Sequence, residues 1–425
     1  MSKEKILDNF RKYFYWYLVV FCILSIFIVN FKVGVAYALE MAILIVTGTG
    51  YLKNIKSIKD IKSIKDIKEF DFLEISVLLY AFWSIISFLW LRGNATKSSY
   101  VYSLVYSILP IFFFFYAKNL THEEGAKVWK ICIYSIAFSM VVALLLMIFA
   151  PNFFGDFLLR RDHISELTIR KVREYFHGIF GVTITGSLCA IWALFDLDRF
   201  LQKGYLYLFP LLISSFLTVA TGRKSAILGF GLIALLDCIY FYRKEKKANR
   251  ILFLIVLAII ACLVALKLFP AEFYSVFGRF EKSRMDYAIT VRDDFNKQSL
   301  KNLGSNILIG NGLGSAGHRA LRELGNDVLA FDNSYVLFLC EIGIIGLCLF
   351  AIPVLYVLIR TFPKLDACKN EYQFIVLLVL QAYMSNMFEF IYLNPLFWFA
   401  VGRCAYEMTV PEQHEEQEKE NEHAS

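Results

Sequence analysis

The chain alternates long apolar runs with short polar segments. An apolar run of about 18 to 20 residues is typical of a helix that crosses a bilayer. Because the runs do not alternate apolar with polar residues, a membrane β-barrel is excluded. The pattern predicts an all-α integral membrane protein with about 12 transmembrane helices. The predicted spans cover approximately 14–31, 33–51, 71–91, 100–117, 129–150, 178–195, 205–220, 225–242, 251–269, 333–359, 372–390 and 396–408.

One large polar segment interrupts this pattern between spans nine and ten. It covers residues 270–332 and carries charges of both signs. Loops of that length are usually functional when they are ordered. The sequence therefore predicts nine spans over 1–269, a large extracytoplasmic loop over 270–332 and three spans over 333–411. An acidic tail without apolar residues, 412–425, is expected to be disordered.

Composition supports a membrane protein and argues against several other classes. Hydrophobic residues make up 58% of the 425 residues and aromatic residues 17%, and the mean hydropathy is +0.55. Soluble domains are closer to half apolar. The nine cysteines include no CxxC pair, and most fall in apolar runs. Small core residues therefore account for them better than disulfides or a zinc site.

The positive charge of the chain predicts its orientation. The net charge is +7 and is concentrated in short loops, chiefly Lys53–Lys68 and Arg243–Arg250. Cytoplasmic loops of membrane proteins are rich in lysine and arginine, whereas a nucleic-acid-binding protein shows a basic patch on a folded surface. Both loops fall on the N-terminal side, which we therefore expect to be cytoplasmic. Alternation then places outside the segments 92–99, 151–177, 221–224 and 270–332.

The loop Lys53–Lys68 contains the internal repeat Lys-Ser-Ile-Lys-Asp-Ile. Its isoleucines recur at every third residue, which could place them along one side of a helix on anionic lipid. A loop that only sets the topology is the alternative, and the sequence leaves both open.

Arginines on the expected outer face are the first candidates for chemistry. Arg223 lies in a tight turn between two spans, Arg284 lies early in the long loop, and Arg170 and Arg173 precede His177. Arginine binds phosphate oxygens through two parallel hydrogen bonds and stays charged. A pyrophosphate at the membrane surface would explain positive charge on this side. Pairing with nearby acids or with lipid head groups is the alternative.

Glycines in Gly310-Asn311-Gly312-Leu313-Gly314 form a second candidate. The motif does not follow a strand of a βαβ unit, so a dinucleotide site is not expected. A tight turn is favoured, and a nest of backbone N–H groups facing an anion is the alternative.

Asp332 and Asn333 lie where the long loop meets span ten. An aspartate there could accept a proton from a sugar hydroxyl, or it could cap the helix. His177 and His318 also fall outside the membrane, where a histidine either takes part in catalysis or forms surface hydrogen bonds. The histidines do not have the spacing of a metal site.

Acids inside predicted spans are functional suspects, because an ionised carboxylate is costly in a bilayer. Glu341 follows Asp332 by a few helical turns and could hold an arginine in place. Glu40 and Asp237 have no evident partner in the sequence.

Four motifs stand out in the second half of the chain. They are Thr221-Gly-Arg-Lys-Ser-Ala226, Ser283-Arg-Met-Asp-Tyr287, Ile309-Gly-Asn-Gly312 and Asp332-Asn-Ser-Tyr335. The last motif, which continues into span ten with Leu339, Glu341, Gly343 and Gly346, is the most specific. Together they resemble the O-antigen ligase and polysaccharide polymerase proteins over about residues 165–360.

The resemblance implies a metal-independent inverting glycosyltransferase without a cofactor, whose donor is an undecaprenyl-pyrophosphate-linked oligosaccharide. It would act at the outer face of a bacterial plasma membrane, and the partners that the resemblance implies are a flippase and a chain-length regulator. Ligases carry His-Asn where this chain has Asp332-Asn333, which favours a repeat-unit polymerase of O-antigen, capsule or exopolysaccharide. A ligase, or a transporter or flippase, is the alternative. The predicted catalytic residues are Asp332, Arg284 and Arg223. The predicted substrate-binding residues are Arg173, His177, Gly312, His318, Asn333, Tyr335 and Glu341.

Overall fold

A computed structural model describes residues 3–28, 72–91, 97–149, 183–221, 224–246, 248–268, 303–315, 333–384 and 395–409, with a few isolated positions between 281 and 300. Within these residues the chain is helical and contains no strand.

The first half of the described chain contains six α-helices. They are α1 (Lys3–Ile28), α2 (Phe72–Ile86), α3 (Lys97–Ile108), α4 (Ile111–Lys118), α5 (His122–Phe149) and α6 (Thr183–Lys203). A 3₁₀ turn, Ser87–Trp90, extends α2.

The second half contains six more. They are α7 (Leu208–Ala220), α8 (Lys224–Glu245), α9 (Ala248–Leu268), α10 (Ser334–Thr361), α11 (Lys369–Met384) and α12 (Pro395–Thr409). Short 3₁₀ turns cover Tyr205–Tyr207, Gly304–Ile307 and Phe362–Ala367.

The helices confirm an all-α architecture with apolar helices suited to a membrane. Each predicted span except 33–51, which lies outside the described residues, overlaps a described helix. The number of spans and the side of the large loop stay predictions. Five helical stretches in the described chain are long and apolar enough to cross a bilayer: Phe72–Trp90, His122–Leu146, Lys224–Glu245, Ala248–Leu268 and Ser334–Ala367.

Two boundaries differ from the predicted ones for local reasons. The expected span 100–117 is two helices, because the chain turns at Leu109 and Pro110, and proline has no N–H for a continuous helix. The expected span 129–150 begins earlier, at His122. A capping box explains the early start: the Thr121 N–H donates to Glu124 Oε2 at 3.0 Å, and the Glu124 N–H donates to Thr121 Oγ1 at 3.3 Å.

The core surrounds α12, which packs against α4, α10 and α11. Trp398 on this helix is fully buried. Its ring lies 6.2 Å from that of Tyr80 on α2 and 5.9 Å from that of Phe350 on α10. Aromatic contacts of this kind add to the burial of apolar area, and they fix α2 and α10 to the centre of the molecule.

The bundle has two ends with different chemistry. One, which we call the loop end, carries Trp90, Leu313 and Asn333, where the large polar segment meets α2 and α10. The other, the lysine end, carries Lys369 at the start of α11 and Arg403 in the second half of α12. Two parts of the motifs that carry the resemblance, Ile309–Gly312 and Asn333–Tyr335, lie at the loop end.

Candidate functional site

The first turn of α10 is fixed by its cap and by a contact with α11. Asn333 is the N-cap residue, and its side chain accepts hydrogen bonds from the N–H groups of Tyr335 at 3.0 Å and Val336 at 3.3 Å. The Tyr335 hydroxyl donates to the carbonyl of Val379 at 2.9 Å. The N-cap residue of α10 is therefore Asn333, and the role of Asp332 stays a prediction.

Helix α10 is broken at Gly343, whose φ of 70° and ψ of −176° are not helical. In an unbroken helix the Ile345 N–H would pair with the carbonyl of Glu341. Here it donates instead to the carbonyl of Leu308 at 3.2 Å. The break therefore leaves carbonyl groups on its N-terminal side in need of other donors.

The segment 304–315 supplies two of those donors. The Asn311 N–H donates to the carbonyl of Cys340, and the Gly312 N–H donates to the carbonyl of Glu341, both at 2.8 Å. The polar segment thus pairs with the backbone of the broken helix along a short stretch. Irregular backbone is tolerated at membrane depth only when its polar groups are satisfied in this way.

Two glycines allow the backbones to come this close. A Cβ added to Gly310 would lie 2.4 Å from the carbonyl oxygen of Glu341, and one added to Gly343 would lie 2.3 Å from that of Leu308. Both residues have positive φ, 73° and 70°. Only glycine meets both demands. We call this contact between Gly310 and Gly343, with its hydrogen bonds, the glycine interlock.

Helix α2 and its 3₁₀ extension hold the interlock from the side. The indole N–H of Trp83 donates to the carbonyl of Ile342 at 2.9 Å, and that of Trp90 donates to the carbonyl of Ile309 at 3.1 Å. Ser87 Oγ accepts the Leu313 N–H at 3.2 Å. Helix α2, with its 3₁₀ extension, therefore contacts both α10 and the segment 304–315.

The hydrogen bonds favour the turn over the anion nest at Gly310–Gly314. The N–H of Gly310 donates to the carbonyl of Asn306 at 2.7 Å, and the next three N–H groups donate to Cys340, Glu341 and Ser87. Donors already used within the protein are not available to a phosphate. A contact between Gly312 and substrate stays a prediction.

Some predicted site residues meet at the loop end. Gly312 contacts Glu341 through its backbone, and the Glu341 side chain is only 2% exposed. Asn333 and Tyr335 lie at the start of the same helix. Outside the described residues lie Asp332, Arg284, Arg223, Arg173, His177 and His318. Their roles stay predictions.

Asp237 does have a partner. Lys369 Nζ lies 2.9 Å from Asp237 Oδ1 and 2.6 Å from Asp198 Oδ1, and all three side chains are buried. We call Asp198, Asp237 and Lys369 the lysine cluster. It joins α6, α8 and α11 at the lysine end, away from the glycine interlock. The cluster therefore has a structural role.

Trp83, Ser87 and Trp90 were not predicted as part of the site. Their spacing of four and then three residues places them on one face of a helix, and their amphipathic side chains are suited to backbone contacts at a membrane interface. The position of these three residues on one helix face was the feature of the sequence that could have indicated such contacts. Its partners lie more than 200 residues away in the chain, so the sequence does not reveal what the stripe contacts.

The fold and the loop end define a class: an all-helical membrane protein in which a polar segment is fixed to a broken span. The family model described as O-antigen ligase matches residues 209–351, which run from α7 into α10. Residues 209–351 are thus similar to the O-antigen ligase family, which confirms the resemblance to the O-antigen ligase and polymerase superfamily over this part of the chain. No curated protein matches the chain.

Proposed function

We propose that the protein polymerises undecaprenyl-pyrophosphate-linked oligosaccharide repeat units into a surface polysaccharide. The observation that carries this proposal is the family match over residues 209–351. That segment contains the turn with Arg223, the loop with Arg284 and the start of α10 with Asp332 and Asn333. Polymerase is favoured over ligase because an aspartate stands where the ligases carry histidine.

The chemistry needs neither metal nor nucleotide. Lipid-linked pyrophosphate is already a good leaving group, so the protein has to stabilise the developing anion and position the acceptor. Arg223 and Arg284 hold the pyrophosphate oxygens. Asp332 accepts the proton of the attacking sugar hydroxyl, and attack from the face opposite the leaving group inverts the anomeric centre.

The remaining predicted residues contribute to substrate binding. These residues are Arg173, His177, Gly312, His318, Asn333, Tyr335 and Glu341. The site opens to the extracytoplasmic face of a bacterial plasma membrane, where a flippase delivers the lipid-linked unit and a chain-length regulator limits the product.

One experiment distinguishes a polymerase from two other functions. A ligase would transfer a finished glycan to another acceptor, and a transporter or flippase would move the glycan without forming a bond. Deletion of the gene, followed by gel analysis of lipid-linked glycan and by a test of its accessibility from outside the cell, separates the three. Single repeat units that accumulate outside indicate a polymerase, full-length unattached chains indicate a ligase, and single units that stay on the cytoplasmic side indicate a flippase.

A further inference from the structure

We propose that Lys130, Tyr134 and Arg199 bind the phosphate of an anionic phospholipid at the lysine end of the bundle. The proposal does not depend on the glycosyltransferase function. It rests on two cations, one on α5 and one on α6, that share an exposed aromatic ring. Lys130 Nζ lies 5.8 Å from the centre of the Tyr134 ring, and the guanidinium carbon of Arg199 lies 5.6 Å from the same point.

Aromatic rings hold the Arg199 side chain in place without neutralising it. Its guanidinium carbon lies 4.2 Å from the centre of the Phe195 ring and 5.3 Å from that of Tyr207. Such rings attract a cation through their faces but carry no net charge. Arg199 Nη1 also donates to the Tyr134 hydroxyl at 2.7 Å. Within the described part of the chain Arg199 makes this one hydrogen bond, so its other N–H groups are available to a ligand.

The charges at this ring favour an anion. Among the described residues, no carboxylate lies within ion-pair distance of Lys130 or Arg199. Asp196 attracts Arg199, but its carboxylate is buried and accepts a hydrogen bond from Ser214 at 3.1 Å. Two like charges at one ring repel each other, and an anion between them would relieve that repulsion.

Phosphate is the anion whose geometry suits these groups. An arginine offers parallel N–H donors that match two phosphate oxygens. The Tyr134 hydroxyl accepts from Arg199 and can therefore donate its own proton to a third oxygen. The exposed Lys130 adds an ammonium group on a flexible stem.

The surface next to the cations is suited to acyl chains and thus favours a lipid over a soluble phosphate. On α5, Phe138, Val141 and Leu145 follow Tyr134 at spacings that place all four on one helix face. These side chains are exposed. Arg199 directly follows Asp198 of the lysine cluster, at the end that is expected to be cytoplasmic. Basic sites between helices on that side of a membrane bind anionic head groups.

Native mass spectrometry of the purified full-length protein tests the proposal. The protein is titrated with phosphatidylglycerol, which is anionic, or with phosphatidylcholine, which has no net charge. Wild-type protein should bind its first phosphatidylglycerol roughly tenfold or more tightly than phosphatidylcholine. Combining Lys130→Gln with Arg199→Gln should weaken phosphatidylglycerol binding roughly 10- to 30-fold and leave phosphatidylcholine binding nearly unchanged.

The matched control combines Arg243→Gln with Arg360→Gln. It removes the same charge from two exposed arginines at the same end of the bundle. Arg360 also lies over an aromatic ring, 5.6 Å from the centre of that of Tyr356, but Arg243 lies on another helix and does not share it. This variant should bind phosphatidylglycerol within about twofold of wild-type protein.

Tyr134→Phe is a milder test, which also decides the proposal if the double variant does not fold. It keeps the ring and both cations but removes the hydroxyl, so phosphatidylglycerol binding should weaken roughly threefold or more. Unchanged binding in Tyr134→Phe would overturn the site as assigned.

Three further results would contradict the proposal. One is equal affinity of wild-type protein for the two lipids. Another is a loss in the double variant of Lys130 and Arg199 that is no greater than in the control, which would show only a general effect of charge. The third is displacement of phosphatidylglycerol by an equal concentration of inorganic phosphate, which would identify a soluble phosphate as the ligand.

Discussion

The two arginines proposed to bind pyrophosphate provide the most direct test at the scale of single residues. If Arg223 and Arg284 hold pyrophosphate, Arg→Lys should fail nearly as badly as Arg→Ala, since a point charge does not replace the planar fork of donors. We expect a loss of about 2 to 4 kcal/mol of transition-state stabilisation, or roughly 30- to 1,000-fold in rate. Polymer formation in membranes at matched protein level measures it.

Arg243→Ala is the control for charge, because Arg243 is an exposed arginine at the end of α8. It should leave the polymer unchanged. Normal polymer from the alanine variants of Arg223 and Arg284 would remove both residues from the site.

Asp332 tests the proton transfer. Asp332→Asn keeps the size of the side chain but cannot accept a proton, so activity should fall about 100-fold or more. Asp332→His should not restore activity in a site shaped for a carboxylate. Both variants should keep the fold, because the cap of α10 belongs to Asn333. Activity is measured as elongation of a lipid-linked unit. Elongation at the wild-type rate by Asp332→Asn would show that Asp332 is not the base.

Some residues of the candidate site can be predicted from the sequence, whereas the partners of buried charges cannot. Asp332 and Asn333 stand out because polar residues at the entrance of a span have few roles, and one of those roles, the cap, is found at Asn333. The partner of Asp237 could not be found in this way. Lys369 is far from it in the chain, and a lysine at a helix end also fits a simple topological signal.

The lysine cluster gives a prediction at the scale of helices, because it joins α6, α8 and α11. Lys369→Met leaves Asp198 and Asp237 buried without their cation. Removing one partner of a buried ion pair usually costs about 3 to 5 kcal/mol. The purified variant should therefore unfold at a clearly lower temperature than wild-type protein in the same detergent.

Lys244→Met is the matched substitution. Lys244 pairs with Asp366 at 2.6 Å, but the two side chains are 52% and 58% exposed. An exposed pair contributes about 0 to 1 kcal/mol, so the melting temperature should hardly change. Equal shifts in the two variants would show that the lysine cluster is not a stabilising contact between the helices.

Helix positions were predicted well because long apolar runs have one main use in a bilayer. Helix ends were predicted less well. The early start of α5 depends on the reciprocal hydrogen bonds of Thr121 and Glu124, and the turn between α3 and α4 depends on Pro110. The break at Gly343 escaped prediction for another reason. A glycine in an apolar run also fits close helix packing, and only the contact with Gly310 shows its positive φ to be required.

Topology is the prediction that concerns the whole molecule. A cysteine at Ser299 should react with a membrane-impermeant thiol reagent in intact cells, because residues 270–332 are expected outside. A cysteine at Lys246, which is exposed between α8 and α9, should react only after the membrane is permeabilised. Labelling of the parent protein measures the background from its native cysteines. The reverse pattern would invert the orientation and move the proposed site to the cytoplasm.

The lysine cluster also bears on the order in which the helices enter the membrane during synthesis. Lys369 follows Asp198 by 171 residues, so α6 and α8 leave the ribosome well before α11. A buried ammonium group is costly in a bilayer, and nearby carboxylates lower that cost. Helix α11 therefore enters a membrane that already contains both of its counter-ions. A nascent chain that stops before residue 369 contains Asp198 and Asp237 without the lysine that pairs with them in the folded protein.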